Sequence, residues 1–139
     1  MKVRIAAISE QPLQIEAHAL AVRDPAAGAE ASFCGVVRDH DHGRSVLELE
    51  YSGHPTAAAI LREVAEEIAA DPAVIAVAVS HRIGSLRVGE VALVAAVSAA
   101  HRQQAFESCQ RLVDEAKARL PIWKRQVFAD GTDEWVNCP

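Results

Sequence analysis

The chain has 139 residues, half of them hydrophobic and 24% charged, a balance that suits one folded domain with a real core and excludes a disordered or fibrous chain. Its formal charge of −5 excludes generic nucleic-acid binding. No run approaches the roughly twenty apolar residues of a membrane span, so neither a membrane partner nor a signal peptide is expected.

Taken in chain order, Val3 to Ile8 reads as a strand. Leu13 to Val22 has helical apolar spacing after Pro12, a common helix-start residue. A loop at Asp24–Gly28 leads into a strand over Ala31 to Val37, with Phe33, Gly35 and Val37 on one face. Arg38 to Ser45 is a polar loop rich in His and Asp. Val46 to Tyr51 is a strand that alternates Leu47, Leu49 and Tyr51 against Glu48 and Glu50. A helix follows over Pro55 to Ala70, with Ile60, Leu61, Val64 and Ile68 as its buried stripe, and Asp71-Pro72 stops it. Val74 to Ser80 and Val91 to Val97 are β-branched strands joined by a glycine-containing connection, His81 to Glu90. The longest helix runs from about His101 to Arg119, with Phe106, Cys109, Leu112, Val113 and Ala116 as its apolar face. Short strands around Trp123–Phe128 and Glu134–Val136 close the chain. Strands and helices mix without strict βαβ alternation, which predicts an α+β fold with a largely antiparallel sheet in a single domain over 1–139.

Three features carry chemistry. Only three lysines occur against eleven arginines, and two of them, Lys117 and Lys124, share the stretch Lys117-Ala118-Arg119-Leu120-Pro121-Ile122-Trp123-Lys124-Arg125. Arg holds its charge at any working pH, whereas a desolvated Lys can exchange a proton or act as a nucleophile. Lys117 borders the apolar stripe of its helix, so partial burial and a lowered pKa are expected, with a base held against the Trp123 indole. The bland alternative is a solvated basic helix end. At the other end of the same helix, Ser98-Ala99-Ala100-His101-Arg102 offers free backbone N–H groups and a guanidinium to an anion. His101 and Lys117 lie sixteen residues apart, roughly 24 Å along a helix. One small ligand cannot touch both within one chain, so a shared site would need a second copy. Third, Arg38 stands where a strand enters the Asp39-His40-Asp41-His42 loop, a placement that suits phosphate. The loop also admits a metal reading with His40 and His42 on one side, although no third ligand is placed by spacing; a metal-dependent hydrolase would add His81. The three cysteines (Cys34, Cys109, Cys138) show no CxxC or zinc spacing, so free thiols and a cytoplasmic location are expected.

Four blocks occur in order: Gly35-Val36-Val37-Arg38, then His81-Arg82-Ile83-Gly84-Ser85-Leu86-Arg87-Val88-Gly89-Glu90, then Ser98 to Arg102, then Lys117 to Arg125. Together they resemble the large, catalytic subunit of molybdopterin synthase, the MoaE family, over nearly the whole chain. The resemblance implies an α/β hammerhead fold with an additional antiparallel sheet. It also implies a homodimer that binds two copies of a small ubiquitin-like sulfur carrier, a heterotetramer overall. The carrier's C-terminal Gly-Gly thiocarboxylate enters the large subunit and passes sulfur to cyclic pyranopterin monophosphate, forming the dithiolene of molybdopterin. No cofactor and no metal are implied. Carried over motif by motif, the substrate-binding residues are Val36, Val37, Arg38, His101, Arg102, Lys117, Lys124, Arg125 and Gln126. Of these, Lys117 is the expected principal acid/base or covalent-capture residue. Lys124 is the expected second acid/base or oxyanion stabiliser. The His101-Arg102 pair comes from the partner subunit in the family. Val36 departs from relatives with Lys there, which removes one charge from the loop. The alternative function is a non-catalytic module that binds a phosphometabolite or a peptide tail.

Overall fold

The computed structural model describes residues 1–138, with side chains through Val136. The chain forms β1 (Val3–Ser9), α1 (Ile15–Ala21), β2 (Ala29–Val36), β3 (His40–Asp41), β4 (Arg44–Gly53), α2 (Ala57–Ala69), β5 (Val74–Arg82), β6 (Gly84–Arg87), β7 (Val91–Ala99), α3 (Arg102–Arg119), β8 (Ile122–Phe128) and β9 (Asp133–Cys138). The expected α+β class is the one observed. Two sheets are present: one ordered β1-β5-β7-β2, the other β3-β4-β8-β9 with β6 also paired to β4. Among the described residues β1 and β5 run parallel and the remaining pairs are antiparallel.

The first sheet is covered on both faces, which explains the near-continuous apolar runs of β5 and β7. Val77 and Val79 point to the main core, where α2 and α3 pack. Ala76, Ala78 and Ala96 point the other way, to a smaller cluster with Val22 behind α1. Those alanines leave room for α1 to approach closely. Here α1 also buries His18, whose Nε2 lies 2.7 Å from Ser80 Oγ and Nδ1 2.6 Å from the Gln14 carbonyl. Because the carbonyl can only accept, Nδ1 carries the proton and Nε2 accepts from the Ser80 hydroxyl.

The main core continues without a break into the second sheet through Leu49, Tyr51, Leu86, Ile122 and Phe128. Fully buried Leu61, Ile68, Leu86, Leu112 and Ile122 each contribute about 1.5–3 kcal/mol of hydrophobic stabilisation.

Several local expectations are corrected. The buried stripe of α3 is Ala105, Cys109, Leu112, Val113 and Ala116; Phe106 is 66% exposed, one position off that stripe. Ala105, 1% exposed, takes the inward place in the first turn of the helix. Leu47 is 58% exposed rather than inward. A bulge causes this: the pairing jumps from Val46↔Phe128 to Glu48↔Val127, and the alternation slips by one. The connection expected over His81–Glu90 is instead the end of β5 plus the strand β6, paired antiparallel to β4. The Arg38–Ser45 loop contains a hairpin, β3 to β4, turning at His42 (φ 49°) and Gly43 (φ 77°). Two positive φ values in a two-residue turn match the twist of the flanking strands.

Candidate active site

A cleft of about 240 Å³ opens where the two sheets meet. The end of β2 supplies Gly35, Val36, Val37 and then Arg38; the hairpin supplies His40 and Asp41. From β4 come Leu49 and Tyr51, and from β8 Lys124 and Gln126. The end of β5 adds His81, and the last turns of α3 add Lys117. Strand periodicity selects these groups. Leu49 and Tyr51 stand opposite Gln126 and Lys124 in the β4–β8 pairing, so all four face the cleft side of the sheet.

The rim is held by the Gly89-Glu90 block. The Val37 N–H donates to the Glu90 carbonyl at 2.9 Å, and the Gly89 N–H to the Val37 carbonyl at 2.7 Å. The Glu90 carboxylate accepts from Arg82 Nη1 at 2.6 Å and from the Arg87 N–H at 2.8 Å. The Arg82 hydrogen bond, with that backbone N–H, holds the Glu90 carboxyl below its ordinary range. Arg82 and Glu90 therefore act on the shape of the cleft, through the path that Gly35–Arg38 follows.

Lys117 is exposed, which corrects the partial burial expected from its place beside the apolar stripe. Its position is nevertheless defined. Arg119, two residues on, reaches Glu67 of α2 at 2.5 Å and Glu115 at 3.6 Å, which ties the end of α3 to α2. Leu120 then turns extended before Pro121, as pre-proline sterics require, and the chain enters β8. Lys124 is half-buried on that strand. Trp123 is exposed on the opposite face and does not stack on a base; the cation–π contact among the described residues is Arg44 over Phe128, 3.6 Å from the ring centroid.

Deeper in the cleft lies His81, 1% exposed. Its Nδ1 donates to the Arg82 carbonyl at 2.7 Å, and the Tyr51 ring meets it edge-on with centroids 5.0 Å apart. Burial pushes its pKa down to about 4, with the nearby Lys117 charge adding to the effect. The ring is therefore neutral at ordinary pH, with Nε2 as its lone-pair acceptor. Asp41 also lines the cleft. It accepts from Gln126 Nε2 at 2.7 Å and from Arg38 Nη2 at 3.3 Å.

The chain thus brings together Val36, Val37, Arg38, Lys117, Lys124 and Gln126. It does not bring in His101, Arg102 or Arg125. His101 is the N-cap of α3 and Arg102 its first residue; both are exposed at the end of the helix remote from Lys117. Ser98, expected beside them, is buried within β7. Arg125 alternates away from Lys124 and Gln126, and its Nε donates to Asp133 at 2.7 Å. Sequence reasoning missed Asp41 and His81 as cleft residues, having weighed them only as metal ligands or as part of a motif. Among the described residues no group of three or more His, Cys, Asp or Glu is arranged to hold a metal. Cys34 and Cys109 are free thiols, and the side chain of Cys138 lies outside the described residues.

Comparison with known proteins gives this chain a family. The MoaE protein family matches residues 8–119. A molybdopterin synthase catalytic subunit from Nostoc sp. is 40% identical over 134 residues, which cover 94% of this chain and 81% of that protein. Rice relatives are longer, and the matched region spans 58% of their length. A structure of molybdopterin synthase from Staphylococcus aureus superposes with a TM-score of 0.85 at 30% identity, covering 93% of this chain and 94% of that one. A Helicobacter pylori complex of subunits 1 and 2 of molybdopterin-converting factor shares the fold, with a TM-score of 0.70 at 18% identity over 98% of this chain and 88% of that one. By its family match, its identity to curated relatives and its fold, the chain belongs to the MoaE protein family.

Proposed function

We propose that this chain is the catalytic subunit of a molybdopterin synthase, a sulfurtransferase of molybdenum cofactor biosynthesis. The observation that carries the reading is the convergence of Arg38, Lys117 and Lys124 on one cleft between the sheets. The names of its relatives agree with it. The substrate is cyclic pyranopterin monophosphate, and the sulfur arrives as the C-terminal Gly-Gly thiocarboxylate of a small ubiquitin-like carrier subunit. A two-subunit complex built on this fold supports such a partner. Nothing in the cleft favours the alternative of a non-catalytic binding module.

The residue types suit the chemistry. Arg38 at the rim is mostly exposed and can fork onto the substrate phosphate. The cations also draw in the anionic tail of the carrier. The thiocarboxylate sulfur bonds to a pterin carbon as an oxygen leaves as water. A second water cleaves the resulting thioester to release the carrier as a carboxylate, so protons must move at the reacting atoms. Lys117, at the end of α3, is the principal acid/base or covalent-capture residue. Lys124, on the wall, is the second acid/base or stabilises the oxyanion that forms as water attacks the thioester carbonyl. Val36 and Val37 shape the entrance, and Gln126 anchors the wall.

His101 and Arg102 complete the site from the second copy of a homodimer. Their separation from Lys117 along α3 supports this, because one chain cannot present both ends of its helix to one ligand. Two free thiols and the absence of any described helix long and apolar enough to cross a membrane are compatible with a cytoplasmic enzyme.

The direct test incubates the purified chain with a thiocarboxylated carrier and cyclic pyranopterin monophosphate and follows dithiolene formation. Product is expected only when all three are present. No product with a carrier shown to be thiocarboxylated would sink the reading.

A further inference from the structure

Asp41 is the one carboxylate among the described residues lining a cleft otherwise furnished with cations for anionic ligands. Alone, a negative charge there opposes binding, so its contacts decide what it does. Its two oxygens are divided between two elements. Oδ2 accepts from Gln126 Nε2 at 2.7 Å, a bond that joins β3 to β8 across 85 residues of sequence. Oδ1 accepts from Arg38 Nη2 at 3.3 Å, and His42 Nε2 stands 3.7 Å from the same oxygen. The side chain is only 18% exposed, and Gln126 itself is buried. Asp41 faces inward, whereas Asp39, two residues earlier, is exposed and pairs with His40.

We propose that Asp41 is a positioning residue: by bridging Gln126 and Arg38 it locks the hairpin to β8, and so sets the spacing between the Arg38 guanidinium and the Lys124 ammonium for an incoming phosphate. This rests on the molybdopterin synthase reading. The Gln126 bond is short and shielded, whereas the Arg38 contact is long and exposed. Asp41 therefore stays fixed to β8 while Arg38 can exchange it for the phosphate. The Gln126 hydrogen bond, with the Lys124 charge and the Arg38 hydrogen bond, holds the acid below its ordinary range, so it is ionised near neutral pH.

The test measures steady-state kinetics of dithiolene formation for Asp41→Ala, Asp41→Asn, Gln126→Leu and the Asp41→Ala/Gln126→Leu pair, each checked for native circular dichroism. Misplacing Arg38 weakens phosphate binding. For Asp41→Ala we expect the KM for cyclic pyranopterin monophosphate to rise about tenfold while kcat falls less than about threefold. Asn can accept at one oxygen but not two, so Asp41→Asn falls between Ala and wild type. Because Asp41 and Gln126 act through one bridge, the double variant raises KM about as far as either single change and not by their product. An unchanged KM in both Asp41 variants overturns the proposal. So does a lowered KM, which would make the carboxylate merely a repulsive charge. A strictly multiplicative double variant overturns it as well. The wild type in the same assay separates the two failures. A wild type without product removes the functional reading and this inference with it; an active wild type with an unmoved KM removes only the role of Asp41.

Discussion

The two ends of helix α3 look alike in sequence and differ in structure. Each carries two basic residues, His101-Arg102 at the start and Lys117 with Arg119 at the finish. At the finish, Arg119 is paired to α2, Lys117 stands at the edge of a cleft, and the opposite wall belongs to the same chain. At the start, His101 caps nothing with its side chain and no cleft residue is near. One end lines a cleft, and the other is a pair of exposed groups. A cationic motif becomes a site only where tertiary structure gives it an opposing wall.

The strongest way to break this contrast is at Lys117. If it moves protons, Lys117→Ala lowers kcat by about 10²–10⁴-fold, and Lys117→Arg, which keeps the charge, recovers little of it. Full turnover by the Arg variant in the dithiolene assay would leave Lys117 a purely electrostatic role. The contrast sharpens in mixed dimers. Lys117→Ala and Arg102→Ala are each expected to be poorly active alone. When the two proteins are unfolded and refolded together, hybrid dimers regain one intact site. A random equal mixture then reaches roughly a quarter of wild-type turnover. No recovery would place both groups of a site in one chain.

His81 offers a test through stability. Its pKa is about 4 in the fold against 6.5 in the unfolded chain, so the unfolded state binds more protons between those values. Stability is therefore complete above pH 6.5 and falls as the pH drops towards 4, by roughly 3 kcal/mol in all. His81→Gln should flatten denaturant-derived stability across that window. Carboxylates such as Asp41, whose pKa values are lowered, act only in more acid solution. The smallest effect is expected at Arg125. Tied to Asp133 on the face away from the cleft, its replacement by Ala should change the KM for the pterin by no more than about twofold, whereas Arg38→Ala should raise it clearly.

Much of this was legible from residues alone. Period-two alternation marked β2 and β4, the helical stripe marked α2, and prolines marked where α2 and α3 end. Local rules suffice there because each depends on a few neighbouring residues. They failed where a partner strand intervened. Leu47 points outward because β8 imposes a bulge on β4, and β6 is a strand because β4 lies beside it. Phe106 looked like core by hydrophobicity, yet Ala105 fits the sheet.

The sequence by itself determined the class of fold, the family, and the identity of Arg38, Lys117 and Lys124 as residues worth watching. It also set the length of α3, and with it the separation of His101 from Lys117. Only the tertiary structure decided which cations share a cleft, that Lys117 is exposed while His81 is buried and neutral, and that Asp41 bridges Gln126 and Arg38. The reason is physical. Propensity and periodicity act over a few residues, whereas burial, desolvation and side-chain pairing depend on groups that folding brings together from distant parts of the chain.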